Sequence, residues 1–364
     1  MQDRMMKFLL ENAGASIKYR VKKEILNDIT ADEEKDLQEQ IMAEPISQLI
    51  INCQKENGWL GNGFHGSNSN AGTYENQEIG TKYLAEKGVA KDNLVLKRAM
   101  DAFVTTELSD LCYRTKGKVF DEFRYAANGQ NIIRCACIAR AGYDDVIDIK
   151  PQIQLSLDSF KRVLEVDSIM DIVKARKGKP IRSNPSGIYY TFNDFEKWPC
   201  RYHFDILAHS CANERAHSCD NSWKSEENIA MLASSFKKLM RTDRPEFIGK
   251  AANSWVGYQL GTVGCFSEGF SLRNSKDNSL QFETIEWLCR CGLAPHLEEL
   301  QKEIEVIKNS INEDGICEAD VDIEQLKGIG TYAGLQIEAD WKTDTRRLCD
   351  ITFRALLILH YSEQ

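Results

Sequence analysis

The densest group of side chains able to do chemistry lies at residues 198–205, Trp-Pro-Cys-Arg-Tyr-His-Phe-Asp. In a helix beginning near Pro199, Arg201 and Asp205 stand four residues apart and share a face, whereas His203 points to one side. Trp198, Tyr202 and His203 would then form an aromatic wall for a cation, a sugar ring or a polyene, with His203 and Asp205 available for proton transfer. The start of an ordinary amphipathic helix would use the same residues. A second histidine with carboxylates nearby is His65, followed by Glu75 and Glu78. A histidine and a carboxylate work as a general acid/base pair when geometry brings them together; the competing reading is a solvated loop histidine. Asp320 and Asp322 would share a face on extended chain and could serve as proton donor and partner or bind a cation, against a reading as exposed loop carboxylates. Asp121 and Glu122 precede a helical pattern over residues 131–141, where a raised-pKa acid competes with simple N-terminal anions.

His209, Cys211, His217 and Cys219 form two H-x-C pairs with soft ligands suited to zinc. Residues two apart on a helix face different ways, so no metal site is assigned. The C-x-C pairs Cys135/Cys137 and Cys289/Cys291 read as small core residues. The Gly-rich stretch 257–269 lacks phosphate-loop spacing, and no G-x-S-x-G, H-E-x-x-H or C-x-x-C occurs, so the sequence names no cofactor.

These residues need helices to position them. Residues 46–53 carry Ile46, Leu49, Ile50 and Cys53 at helical spacing, and the Gly/Asn-rich run from Gln54 must end that helix near Gly58. A second copy lies around Gly315, where Val306 and Ile307 take the places of Leu49 and Ile50. Another pattern, an apolar helix ended by a left-handed glycine cap, repeats at Gly88, Gly142 and Gly292, with a looser copy at residues 205–211. Amphipathic helices follow each copy, at residues 94–106, 146–164, 229–240 and 297–311. Thr30 and Glu33 have the spacing of a capping box. The unit is a helical hairpin, clear four times and present six times if residues 17–53 and 343–360 are counted. Hairpins in tandem bury their faces only against neighbours, so they stack in a solenoid or close into a ring. Strand signal is confined to short pieces such as residues 188–192.

The stretch Gln54-Lys55-Glu56-Asn57-Gly58-Trp59 is similar to the Q-x3-G-x-W repeat of the squalene-cyclase family, with Asn312-Glu313-Asp314-Gly315 as a degenerate copy. With the hairpin pattern, the chain resembles the α/α-toroid superfamily of terpenoid cyclases and protein prenyltransferase β-subunits. That resemblance implies an all-α toroid, in one domain over residues 1–364, with a small-molecule ligand in a central cavity. The cavity would be lined by Trp59, His65, Trp198, Tyr202, His203, Trp255, Tyr258 and Asp320, with Glu75 beside them. The proton-donating Asp-x-Asp-Asp motif of the cyclases is missing its last residue at Asp320-Val321-Asp322-Ile323, so the cyclase reaction is not carried over.

Composition bounds the rest. Hydrophobic content of 42% and charged content of 28% are ordinary for a globular chain of 364 residues. A net charge of −9 disfavours nucleic acid and anionic membrane as partners. No window approaches the roughly 18 apolar residues of a membrane span, and residues 5–10 are too short and interrupted for a secretory signal. The expected location is cytoplasmic, with most of the 12 cysteines as buried thiols. The leading expectation is an acid/base enzyme for a small or isoprenoid-like apolar substrate, using His65, His203, Asp205, Asp320 and Asp322. A glycan lyase or hydrolase and a non-catalytic binding scaffold are the alternatives, the scaffold if side chains fill the interior.

Overall fold

The computed structural model describes residues 1–64, 73–105, 129–167, 169–180, 182, 185–192, 198–210, 223–240, 266, 270–327 and 336–364. His65, Trp255, Tyr258, Asp121, Glu122, Cys211, His217 and Cys219 lie outside them.

Local chemistry sets the helix ends. Thr30 starts α3 (Ala31–Ala43): its hydroxyl accepts the Glu33 N–H at 3.3 Å while the Glu33 carboxylate accepts the Thr30 N–H at 3.2 Å, the reciprocal box expected from the spacing. Asn76 caps α5 (Gln77–Glu86), and Thr343 caps α14 (Asp344–Ser362). Before these come α1 (Gln2–Asn12), α2 (Ala15–Arg20, continued by a π-helical turn, Val21–Ile25) and α4 (Pro45–Cys53). Between α5 and α14 run α6 (Leu94–Thr105), α7 (Gly129–Arg140), α8 (Lys150–Glu165), α9 (Arg201–His209), α10 (Glu226–Met240), α11 (Phe282–Arg290), α12 (Glu298–Asn309) and the short α13 (Ile323–Lys327). Helix dominates, and the sole paired strands among the described residues are the antiparallel β1 (Val173–Lys177) and β2 (Ile188–Phe192).

The glycine caps form as expected. Gly88, Gly142 and Gly292 have φ of 77°, 71° and 75°. After each, the next residue's N–H reaches back to the helix, Val89 to Leu84, Tyr143 to Ile138 and Leu293 to Leu288, all at 3.0 Å. The two turns around Gly58 and Gly315 also share one hydrogen-bond pattern. Lys55 N–H bonds the Trp59 carbonyl as Asn312 N–H bonds Ile316, and Gly61 N–H bonds Cys53 as Glu318 N–H bonds Ser310. Both turns seat on a helix elsewhere in the chain. Arg98 of α6 donates to the Glu56 carbonyl at 2.8 Å, and Arg4 of α1 donates to the corresponding Glu313 carbonyl at 2.7 Å. The Gly315 turn therefore meets α1 as the Gly58 turn meets α6. Gly315 has φ of 82°, and a Cβ there would lie 2.5 Å from the Arg4 carbonyl carbon. Left-handed strain plus that overlap should make Gly315→Ala cost about 2 kcal/mol, read as a lower thermal midpoint.

Burial separates two kinds of helix. In α5 and α11 every residue is buried, charged ones included, whereas α3 buries only Ile41 and α12 only Leu300, Ile304 and Ile307. With them, the mostly buried helices touch in succession, α5 to α7, α7 to α9, α9 to α11, α11 to α14 and α14 to α2. The end of α2 reaches α5, where Arg20 donates to the Glu86 carbonyl at 3.1 Å. One apolar cluster packs Phe160, Phe204, Phe236 and Trp287, and another packs Leu60, Phe64, Met100 and Phe103.

Candidate functional site

Each buried helix carries a stripe of charge at helical spacing: Glu78, Lys82 and Glu86 on α5, Arg201, Asp205 and His209 on α9, Glu283, Glu286 and Arg290 on α11. These stripes face one another. Tyr202 donates to Glu78; Arg201 pairs with Glu283, and Lys82 sits 3.4 Å from the same carboxylate. Deeper along the helices Arg140 pairs with Asp205, and Arg354 lies 3.5 Å from both Glu86 and Glu286. Glu24 collects three partners: Arg20 at 2.8 Å, Arg290 at 2.9 Å and the Tyr361 hydroxyl at 2.8 Å. Unpaired charge in such a place costs several kcal/mol, so pairing is what permits the burial. The charges set one another's protonation. Burial alone would raise the Glu86 carboxyl, but Arg354 and Arg20 beside it hold it down to about 2. Burial lowers the Lys82 ammonium to about 8, against the pull of Glu283.

At the C-terminal ends of α2, α5, α7, α9 and α11 the stripes leave a cleft lined by Arg20, Ala85, Glu86, Arg140, His209, Glu286 and Arg290. Five helices bring their last turns to one place, so they run in the same direction. Three guanidinium groups stand where the helix dipoles are negative, which favours cations. The cleft holds about 260 Å³ of empty space including its opening to solvent, with room at its centre for about one water. The imidazole of His209 is positioned by its own helix: Nδ1 lies 2.8 Å from the Asp205 carboxylate and 3.0 Å from the Asp205 carbonyl. Both neighbours are acceptors, so Nδ1 carries the proton and Nε2 is left with its lone pair. Burial, then Arg290 and Arg140, hold the imidazole well below its ordinary pKa, hence neutral at pH 7. Asp205 and His209 thus make a carboxylate–imidazole dyad at the cleft wall.

The residues singled out from sequence are placed as follows. Asp205 is in this dyad. His203, two residues along, is buried and accepts the Cys200 N–H at its Nδ1 with 3.1 Å, an N-terminal cap. Trp198 has no exposed surface and donates its indole N–H to the Phe266 carbonyl at 3.1 Å, and Tyr202 is buried on Glu78. Both are packed inside, away from the cleft. Trp59 is half-buried against Phe64 and Phe103, and Glu75, also half-buried, lies with its carbonyl over Gly61. Asp320 is exposed, whereas Asp322 is nearly buried, accepting from Gln325 N–H at 3.1 Å and from Asn274 at 2.8 Å. The pair therefore does not share an environment. Sequence reading missed Arg20, Glu86, Arg140, Glu286 and Arg290. The signal was present in the Glu78/Lys82/Glu86 and Glu286/Arg290 spacing, which also describes a solvated face.

Among the described cysteines, Cys135, Cys137, Cys200, Cys289, Cys291, Cys317 and Cys349 are buried free thiols. Burial pushes Cys291 up to about 12, so it is an inert thiol at neutral pH. No group of metal-ligating side chains and no helix able to cross a membrane occurs among the described residues. Comparison of the chain with models of known families, with curated proteins and with solved structures finds no match.

Proposed function

We propose that the chain is an α/α toroid of six helical hairpins and that it is an enzyme performing acid/base chemistry on a small polar molecule held in the axial cleft. Three contacts support ring closure: the succession from α5 round to α2, the return of Arg20 to α5, and the equivalent seats of the Gly58 and Gly315 turns. The observation that carries the reaction class is the dyad of Asp205 with a neutral His209 whose Nε2 accepts protons. A general base needs that unprotonated state at working pH, and the same burial and arginines that secure it make the imidazole a weak base. The polar wall favours a polar occupant over an isoprenoid-like apolar one, because a hydrocarbon there would strip charged groups of partners without replacing them. With room at its centre for about one water, the cleft as it stands fits only the smallest polar species.

The test is proton NMR in D2O of the chain incubated with panels of small acids, sugars and isoprenoid alcohols. Conversion or C–H exchange of a polar compound is expected, slowed about a hundredfold or more in His209→Gln. Turnover undiminished in that variant, or confined to isoprenoid alcohols, would remove the dyad from the mechanism. Should nothing in the panels turn over and His209 prove charged by nitrogen NMR at pH 7, the non-catalytic scaffold reading would replace this one.

A further inference from the structure

The net charge of −9 averages over a local contrast: residues 173–192 hold five cations, Lys174, Arg176, Lys177, Lys179 and Arg182, and no carboxylate. They belong to the ribbon of β1 and β2 and the segment joining its strands. Ile172 and Val173 are buried in the apolar cluster of Phe160 and Trp287, which fixes the base of the ribbon and turns the Val173 face of β1 inward. Successive residues of a strand alternate in face, so positions 174 and 176 stand on the outward one. Lys174, Lys177, Lys179 and Arg182 are exposed, and no carboxylate among the described residues pairs with Lys174, Lys177 or Arg182. The register sets Lys174 opposite Thr191 and Arg176 opposite Tyr189, and directly opposed residues share a face. The outward face therefore has cations on one strand and an aromatic residue on its neighbour.

A polyanion matches the charge, and the arrangement selects among polyanions. Binding to an anionic membrane surface buries an apolar face, but here the apolar face is committed to the core at Val173. An acidic peptide has no use for the aromatic residue beside the cations. A single-stranded nucleic acid uses both, with phosphates on the cationic strand and a base stacked on the ring. We infer that the outward face of the ribbon binds a short stretch of single-stranded nucleic acid, its phosphates on Lys174 and Arg176 and one base on Tyr189. Lys177, Lys179 and Arg182 extend the positive charge past the end of β1. The acidic remainder of the chain repels phosphate, which confines contact to the ribbon and keeps the complex weak. This surface is separate from the axial cleft and stands whether or not the cleft is catalytic.

Fluorescence anisotropy of the full chain with short labelled oligothymidylate and oligouridylate tests this. Saturable binding is expected at about 50 mM salt, weakening about tenfold or more by about 200 mM as counterion release requires. Lys174→Gln combined with Arg176→Gln should weaken binding about tenfold and flatten its salt dependence. Tyr189→Leu, which keeps every charge, should weaken binding by a similar factor and leave the salt dependence as it was. Lys302→Gln, an exposed lysine on α12, should bind as the wild type does. No saturable binding at low salt, wild-type affinity in Tyr189→Leu, or an equal loss in Lys302→Gln would overturn the inference. Tighter binding of polyglutamate or of phosphatidylserine vesicles than of the oligonucleotides would overturn it in favour of an acidic protein or a membrane.

Discussion

Glu24→Gln is expected to cost about 3–5 kcal/mol of stability and to yield little folded chain at 37 °C. Glu24 has no exposed surface, and its two oxygens serve Arg20, Arg290 and Tyr361, which come from α2, α11 and α14. The amide keeps the volume but removes the charge, leaving two arginines, each 3% exposed, with one anion fewer: Arg290 keeps Glu286 at 2.8 Å, and Arg20 keeps only the Glu86 carboxylate at 3.9 Å. Removing one partner of a buried ionic group costs more than removing the group entirely. Glu24→Met combined with Arg290→Met should therefore recover part of what Glu24→Met loses alone. Chemical denaturation of the three variants would decide it. A Glu24→Gln midpoint within experimental error of the wild type would mean that these charges are solvated and that the centre is wet.

The second large effect is in pH. Glu338 lies just before α14, 2% exposed, accepting the Gly14 N–H at 2.8 Å. Burial raises its carboxyl to about 7, helped by Asp350, while Lys87 and Arg346 pull the other way. Asp350 is itself raised by burial and accepts from Ile337, Glu338 and Trp341. A carboxyl whose folded pKa exceeds its unfolded value binds its proton more tightly in the folded chain. Its stabilising contribution is full below about pH 4.5 and is lost as pH rises through about 7. The swing between those limits is about 3 kcal/mol. Glu338→Gln, whose amide oxygen still accepts from Gly14, should flatten that dependence and raise the melting temperature at pH 8. A variant with an unchanged melting profile from pH 5 to 8 would refute the assignment.

What could be read from the sequence was whatever a few neighbouring residues determine. Gly88, Gly142 and Gly292 announce helix ends because the left-handed cap suits glycine, and Thr30 with Glu33 announces a start. The repeat of the Gly58 turn at Gly315 was legible for the same reason. The site was not, since periodicity reports that Glu78, Lys82 and Glu86 share a face but not whether that face meets water or other charged helices. Only the partners decide, and Lys82 meets Glu283 across 201 positions. His203 and Trp198 drew notice by residue type, yet one caps its helix and the other fills the core. β1 escaped because Lys174, Arg176 and Lys177 gave it no apolar alternation, whereas Ile188 to Phe192 advertised β2.

The reach of Glu24 also has a consequence during synthesis. Its partners Arg290 and Tyr361 follow 266 and 337 positions later, and the Gln2 and Glu363 side chains meet at 2.9 Å. While the chain is emerging from the ribosome, helices can form as they appear, but Glu24 in the second of them has no buried partner until α11 and α14 have been made. Until then that carboxylate stays in water. Synthesis of α14 is thus the step that lets the first helices bury their charge.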